Sequence, residues 1–129
     1  MNCVTDIHAL LWWFTESPRL GPMAARCFED CEAGEFTIAI PTIVVAEALS
    51  IFDKKRISFD LKELFKQIYE SENFALVPLD YPILRGMVDL KDLPELHDKI
   101  IVSTAKHLNL PIITKDKRIQ NLSYVKTIW

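Results

Sequence analysis

Four acids stand at positions where an α/β chain can do chemistry. Asp6 closes the short apolar run Asn2–Asp6, and Asp116 directly follows the run Pro111–Lys115. Asp98 opens an amphipathic stretch containing Ile100, Ile101, Val102 and Ala105, and Glu47 lies inside the apolar stretch Ile43–Leu49. Open α/β sheets collect ligands beyond the carboxyl ends of their strands, near the point where strand order reverses, so Asp6 and Asp116 are well placed. Taken singly, Asp6, Asp98 and Asp116 read better as helix N-caps, because aspartate is favoured there and complements the helix dipole. Glu47 is balanced between two readings. Its helical neighbours Ser50 and Lys54 would give it a thin polar stripe, yet its four-apart neighbours are Ile43 and Ile51. An acid among aliphatics needs a partner or a metal, or its pKa rises. The chemical case therefore rests on the set.

The elements that must position these acids alternate along the whole chain. Asn2–Asp6 reads as a strand, followed by a helix over Ile7–Thr15 that is apolar nearly all round and so expected to be largely buried. Ser17-Pro18 reads as an N-cap with proline at the first helical position, opening a helix that runs to about Ala33 and stops at Gly34. A strand is predicted over Thr37–Ile40, and a helix from Pro41-Thr42 to about Phe52. After the basic connection Lys54-Lys55-Arg56 come a helix over Leu61–Glu70 and a strand over Phe74–Pro78. A short helix then runs from Asp80 towards Asp89, and Asp89–Pro94 reads as a loop. A helix over Leu96–Leu108 and strands over Pro111–Lys115 and Val125–Trp129 complete the pattern.

This alternation predicts an α/β fold. The expectation is one three-layer domain over 1–129, with a mainly parallel sheet of four to five strands flanked by helices. The strands are nearly all apolar (Thr37–Ile40, Phe74–Pro78, Pro111–Ile113), as expected when helices cover both faces. Half the residues are hydrophobic and 26% are charged, the composition of an ordinary globular protein. A net charge of −3 gives no global basic signature for nucleic acid, so any phosphate-binding surface is expected to be local. Cys3, Cys27 and Cys31 are odd in number and show no second ligand pair at zinc spacing, which predicts packed, reduced thiols. Without a secretory signal or an apolar run long enough to span a bilayer, the expected location is the cytoplasm, with no membrane partner.

The opening Val4-Thr5-Asp6-Ile7-His8-Ala9-Leu10-Leu11-Trp12-Trp13 resembles the start of PIN-domain proteins of the VapC toxin type. Pro41-Thr42-Ile43-Val44-Val45-Ala46-Glu47 resembles the family's acid inside the third helix. The run from Leu93 to Ala105 resembles its third acidic motif, and Pro111–Asp116 its fourth. The ending Val125–Trp129 is also typical, so the resemblance covers essentially the whole chain. Two departures stand out. Ile7 occupies the place where many members have serine or threonine, with Thr5 before the aspartate instead, and Glu95 replaces an aspartate three residues before the third acid.

The resemblance implies a ribonuclease whose acids gather around Mg²⁺ or Mn²⁺. Carried over by position, the catalytic and metal-holding residues are Asp6, Glu47, Asp98 and Asp116. Thr114 and Thr5 would support them from behind, with Glu95 and His97 as possible additions. Mg²⁺ prefers octahedral oxygen ligands and takes one or two carboxylates while keeping several waters. Such an ion activates water and neutralises charge on phosphate oxygens, which is the logic of phosphodiester hydrolysis. His8, His97 and His107 read more simply as packed or solvated side chains. Lys54, Lys55, Arg56, Lys99, Lys115, Lys117 and Arg118 could supply phosphate contacts; most read as solvated surface charge, and Lys99 and Lys115 are the better candidates because they adjoin acids. The resemblance further implies an RNA substrate, a homodimer and an inhibitory antitoxin, with apolar surface on the second and fourth helices as the place for that partner.

Two other readings fit the same pattern. One is a phosphoacceptor receiver domain, with Asp80 after Phe74–Leu79 as the phosphorylated residue. The other is a PIN-like interaction module without catalysis.

Overall fold

A computed structural model describes residues 1–55 and 60–129. Arg56, part of the basic connection expected at Lys54-Lys55-Arg56, lies outside the described residues. The strands are β1 (Cys3–Thr5), β2 (Ile38–Pro41), β3 (Phe74–Val77), β4 (Ile112–Ile113) and β5 (Thr127–Ile128). Between them lie helices α1 (Ile7–Phe14), α2 (Pro22–Glu32), α3 (Thr42–Lys55) and α4 (Leu61–Glu70), then α5 (Tyr81–Met87), α6 (Leu96–Leu108) and α7 (Lys117–Gln120).

The five strands form one sheet in the order β3-β2-β1-β4-β5, parallel at every pairing. Every residue of β1, β2 and β4 is buried. Successive strand side chains point to opposite faces, so full burial requires cover on both sides of the sheet. Edge strand β3 is only half-buried, and its Leu76 is exposed. The chain builds β1, β2 and β3 in one direction and then returns to place β4 on the other side of β1. The reversal therefore falls between β1 and β4. A receiver domain would have the order 2-1-3-4-5, so the sheet overturns that alternative.

Several local expectations change. The helix expected from Ser17-Pro18 starts instead at Pro22, with Gly21 as its N-cap. The favourable cap chemistry of Ser17 goes into a turn, where its Oγ accepts from the Arg19 N–H at 3.2 Å. Trp129 decides the later start: its carbonyl accepts from the N–H groups of Met23 and Ala24 at 2.8 and 3.1 Å. A Cβ on Gly21 would lie 2.6 Å from that carbonyl oxygen, so the close approach requires glycine. Gly34 follows the end of α2 with φ +79°, as its stop role demands. The one-turn helix α7 was not expected, although its cap residue, Asp116, had been recognised as a possible cap.

Helix α6, which carries Asp98, is seated against α5. Ser103 Oγ donates to the Ile83 carbonyl at 2.6 Å, and a Cβ on Gly86 would meet that Oγ at 2.6 Å. The absent side chain lets the two helices close. All three cysteines are free and buried, as expected, and burial pushes their thiols up, Cys31 to about 11. They are packing groups. Exposed apolar surface lies on α3, α4 and β3 (Leu49, Phe65, Tyr69, Leu76), whereas α2 contributes only Met23 among the described residues. No described helix is long and apolar enough to cross a membrane.

Candidate active site

The register between β1 and β4 creates the first pair of contacts. Thr5 lies beside Ile113, so the residues that follow, Asp6 and Thr114, emerge together at the carboxyl end of the sheet. The Asp6 N–H donates to the Ile113 carbonyl at 3.1 Å. Asp6 then caps α1, its Oδ1 accepting from the Ala9 N–H at 2.9 Å. The fully buried Thr114 hydroxyl bonds the Asp6 carboxylate and also accepts from the Asp116 N–H at 3.0 Å. Asp116 caps α7 in turn, accepting from the Arg118 N–H at 2.8 Å. Both aspartates are therefore caps and cleft residues at once. Thr5 points its hydroxyl to the backbone carbonyl of Asp6 at 3.0 Å rather than to the carboxylate.

Helices α3 and α6 bring the remaining acids. Asp98 sits in the first turn of α6, which has Glu95 as its N-cap residue. Glu47, on α3, keeps only 17% of its side chain exposed and pairs through Oε1 with Nδ1 of His97. His97 is thus tied to an acid of the cleft rather than simply solvated. Asp6, Glu47, Glu95, Asp98 and Asp116 all line one cavity of about 490 Å³, together with His8, His97, Lys115, Arg118 and the indole of Trp12. Ser50 and Lys54 continue the Glu47 stripe into an adjoining cavity, so the two sequence readings of Glu47 are compatible. Asp80 and Lys99 do not line the main cavity, while Arg118, a lesser candidate in the sequence, does. Trp12 is a cleft residue that the sequence missed. Its signal was a four-residue spacing from His8 on a helix starting at Asp6, hidden by the apolar run Ala9–Phe14.

Five carboxylates share this cavity with two permanent cations, and their protonation reflects it. Burial raises the Asp6 carboxyl, opposed by its bonds from Thr114 and Ala9. Burial also raises Glu47, opposed by His97 and His8. Asp98 is pushed from 3.8 to about 6, first by burial and then by the charges of Asp116 and Glu95. Crowded, half-desolvated carboxylates of this kind are stabilised in their charged form by a cation. The donors are oxygens, which suits a hard divalent ion. Among the described residues, no three His, Cys, Asp or Glu side chains form a group that could hold a metal ion by themselves.

A family model described as "PIN domain" matches residues 3–123. No curated protein matches the chain. Among solved structures, the chain is similar to a toxin-antitoxin complex from Klebsiella pneumoniae, with TM-score 0.67 and 22% identity over 96% of this chain and 95% of that one. VapBC2 from Rickettsia felis, bound to a DNA fragment from its promoter, gives TM-score 0.71 and 15% identity over 98% and 97% of the two chains. FitAcB from Neisseria gonorrhoeae gives TM-score 0.66 and 16% identity over 97% and 95%.

Proposed function

The chain belongs to the PIN-domain family, and from that premise we propose that it is a Mg²⁺- or Mn²⁺-dependent endoribonuclease, the toxin of a toxin–antitoxin pair. One observation carries the reading: Asp6, Glu47, Asp98 and Asp116 come from four separate parts of the chain and line a single cavity where strand order reverses. Asp6 and Asp98 would hold the ion, and Asp116 would hold that ion or a second one. Glu47 would ligate it or orient water, with His97 holding the carboxylate in place. Thr114 fixes the Asp6 carboxylate from behind. When bound, the ion supplies a reactive water at neutral pH and offsets charge on the phosphate. Lys115 and Arg118 bind phosphate oxygens at the cavity wall. Water adds across one P–O bond, so one fragment leaves with the phosphate and the other with a hydroxyl.

The toxin-antitoxin complexes among the similar structures support a protein partner that inhibits this chain. The test of activity is cleavage of a pool of structured and unstructured RNAs with Mg²⁺ or Mn²⁺, beside EDTA and Asp6→Asn controls. Cleavage lost in both controls is the expected result. Cleavage that survives Asp6→Asn would overturn the assignment, and a folded chain that neither cleaves RNA nor binds Mn²⁺ would be an interaction module.

A further inference from the structure

We propose that Trp12 is a substrate-positioning residue whose indole stacks on one unpaired base of the RNA strand in the cleft; this rests on the nuclease reading above. Trp12 lies one helical turn beyond His8 on α1 and forms part of the wall of the acid-lined cavity. It is only half-buried, although its neighbours Leu10 and Leu11 are buried. The ring is braced. Trp129 meets it edge-on at 5.8 Å between centroids, and His8 lies at 5.6 Å, tilted by 53°. The brace is itself anchored, because the Trp129 carbonyl caps α2 and its ring packs where a Cβ on Gly21 would come within 2.7 Å. A large aromatic surface held in place beside a reaction site offers a base a stacking partner without ordering cost.

The charges nearby suit a nucleotide rather than an apolar ligand. Lys115 Nζ lies over the Trp12 ring, 5.7 Å from its centroid, and follows the strand that delivers Asp116, so a base that takes its place on the indole turns the ammonium towards the phosphate of the same nucleotide. The strand's path continues beyond the acids. A second cavity, of about 390 Å³, shares His8, Glu47 and His97 with the first and reaches Ser50 and Lys54 on α3. A chain stacked at Trp12 and crossing the acids therefore finds a cation at each end of its route. A duplex cannot use this arrangement, because its bases are already stacked on both faces and present only their edges.

The experiment titrates the full chain with a ten-nucleotide single-stranded RNA, or the same RNA annealed to its complement. Ca²⁺ replaces Mg²⁺ so that binding is read without turnover. The single strand is expected to quench indole fluorescence and the duplex to leave it unchanged. Trp12→Ala should weaken single-strand binding by about 10-fold or more. Trp12→Phe should keep most of the affinity and the thermal midpoint but lose the quench, which separates stacking from a folding defect. Equal affinity in Trp12→Ala, a full quench in Trp12→Phe, an equal duplex response or no binding at all would each overturn the proposal. Cleavage by the wild-type chain, read separately with Asp6→Asn, decides the nuclease: cleavage with unchanged Trp12→Ala binding removes only the platform, and quenched binding without cleavage removes only the nuclease.

Discussion

Both ends of the parallel sheet carry a cavity, and their charges are arranged in opposite ways. At the amino ends of β4 and β5, a cavity of about 390 Å³ is lined by Lys106, Tyr124 and Lys126 among others. There Tyr124 and Lys106 have partners: the Tyr124 hydroxyl donates to Asp92 at 3.0 Å, and Lys106 Nζ lies 4.6 Å from the Tyr124 ring centroid. At the carboxyl ends, the larger cavity gathers five carboxylates and leaves them crowded, with Asp6, Glu47 and Asp98 all displaced towards their neutral forms. Cavity size alone would hardly separate the two ends. Uncompensated charge does, because a fold retains such a cost where a ligand relieves it. The direction of the strands explains why the acids are at this end: helices start there, and each start offers a cap position to an aspartate.

The sharpest test of this contrast is activity. Asp98→Asn should reduce RNA cleavage by about 100- to 1000-fold, whereas Asp92→Asn, on the matched end, should change it by no more than about twofold. Initial rates with Mn²⁺ measure both, and equal losses would erase the distinction between the ends.

Stability should move the other way. The folded-state pKa of Asp98 is raised, to about 6 from 3.8, so the stability it contributes is complete below about 3.8 and lost as pH rises through 6. Asp98→Asn escapes that loss. Discounted for the partial exposure of Asp98, the gain is about 1 kcal/mol at pH 7.5, or a rise in Tm of about 3–5 °C, shrinking to nothing near pH 4. Thermal melts at pH 4, 6 and 7.5 would show it, and a gain independent of pH would rule out the carboxylate as its source.

The smallest effect belongs to the matched end. Burial, then Asp92, pushes the Tyr124 phenol up to about 12, so its stability contribution persists until pH rises above about 10 and is lost through 12. Tyr124→Phe should therefore lower stability by about 0.5–1.5 kcal/mol, the net worth of one hydrogen bond, with no change between pH 5 and 8. Denaturant melts at those two pH values provide the check. A pH-dependent loss would mean that this end, too, carries strained charge.

Much of this was legible beforehand where the signal was local. Apolar runs and caps located β1 through β5 and most helices because strand and helix periodicities differ along the chain itself. The terminator Gly34 worked for the same reason: at φ +79° it adopts a conformation that glycine tolerates. The start of α2 was misread because the deciding partner, the Trp129 carbonyl, comes from the far end of the chain. The apolar run of α1 concealed Trp12 because exposure depends on what packs around a helix, and the same limit favoured Lys99 over Arg118.

The sequence by itself determined the alternation of elements, the βα order that demands a parallel sheet, and three acids at strand ends and helix starts with a fourth inside a helix, since each follows from neighbours within a few residues. Only the tertiary structure decided that β4 returns beside β1, that this reversal gathers the acids with His97 and Trp12, and that burial then raises the pKa values of Asp6, Glu47 and Asp98. Those are properties of distance through space, and desolvation and repulsion act only after the chain has brought the charges together.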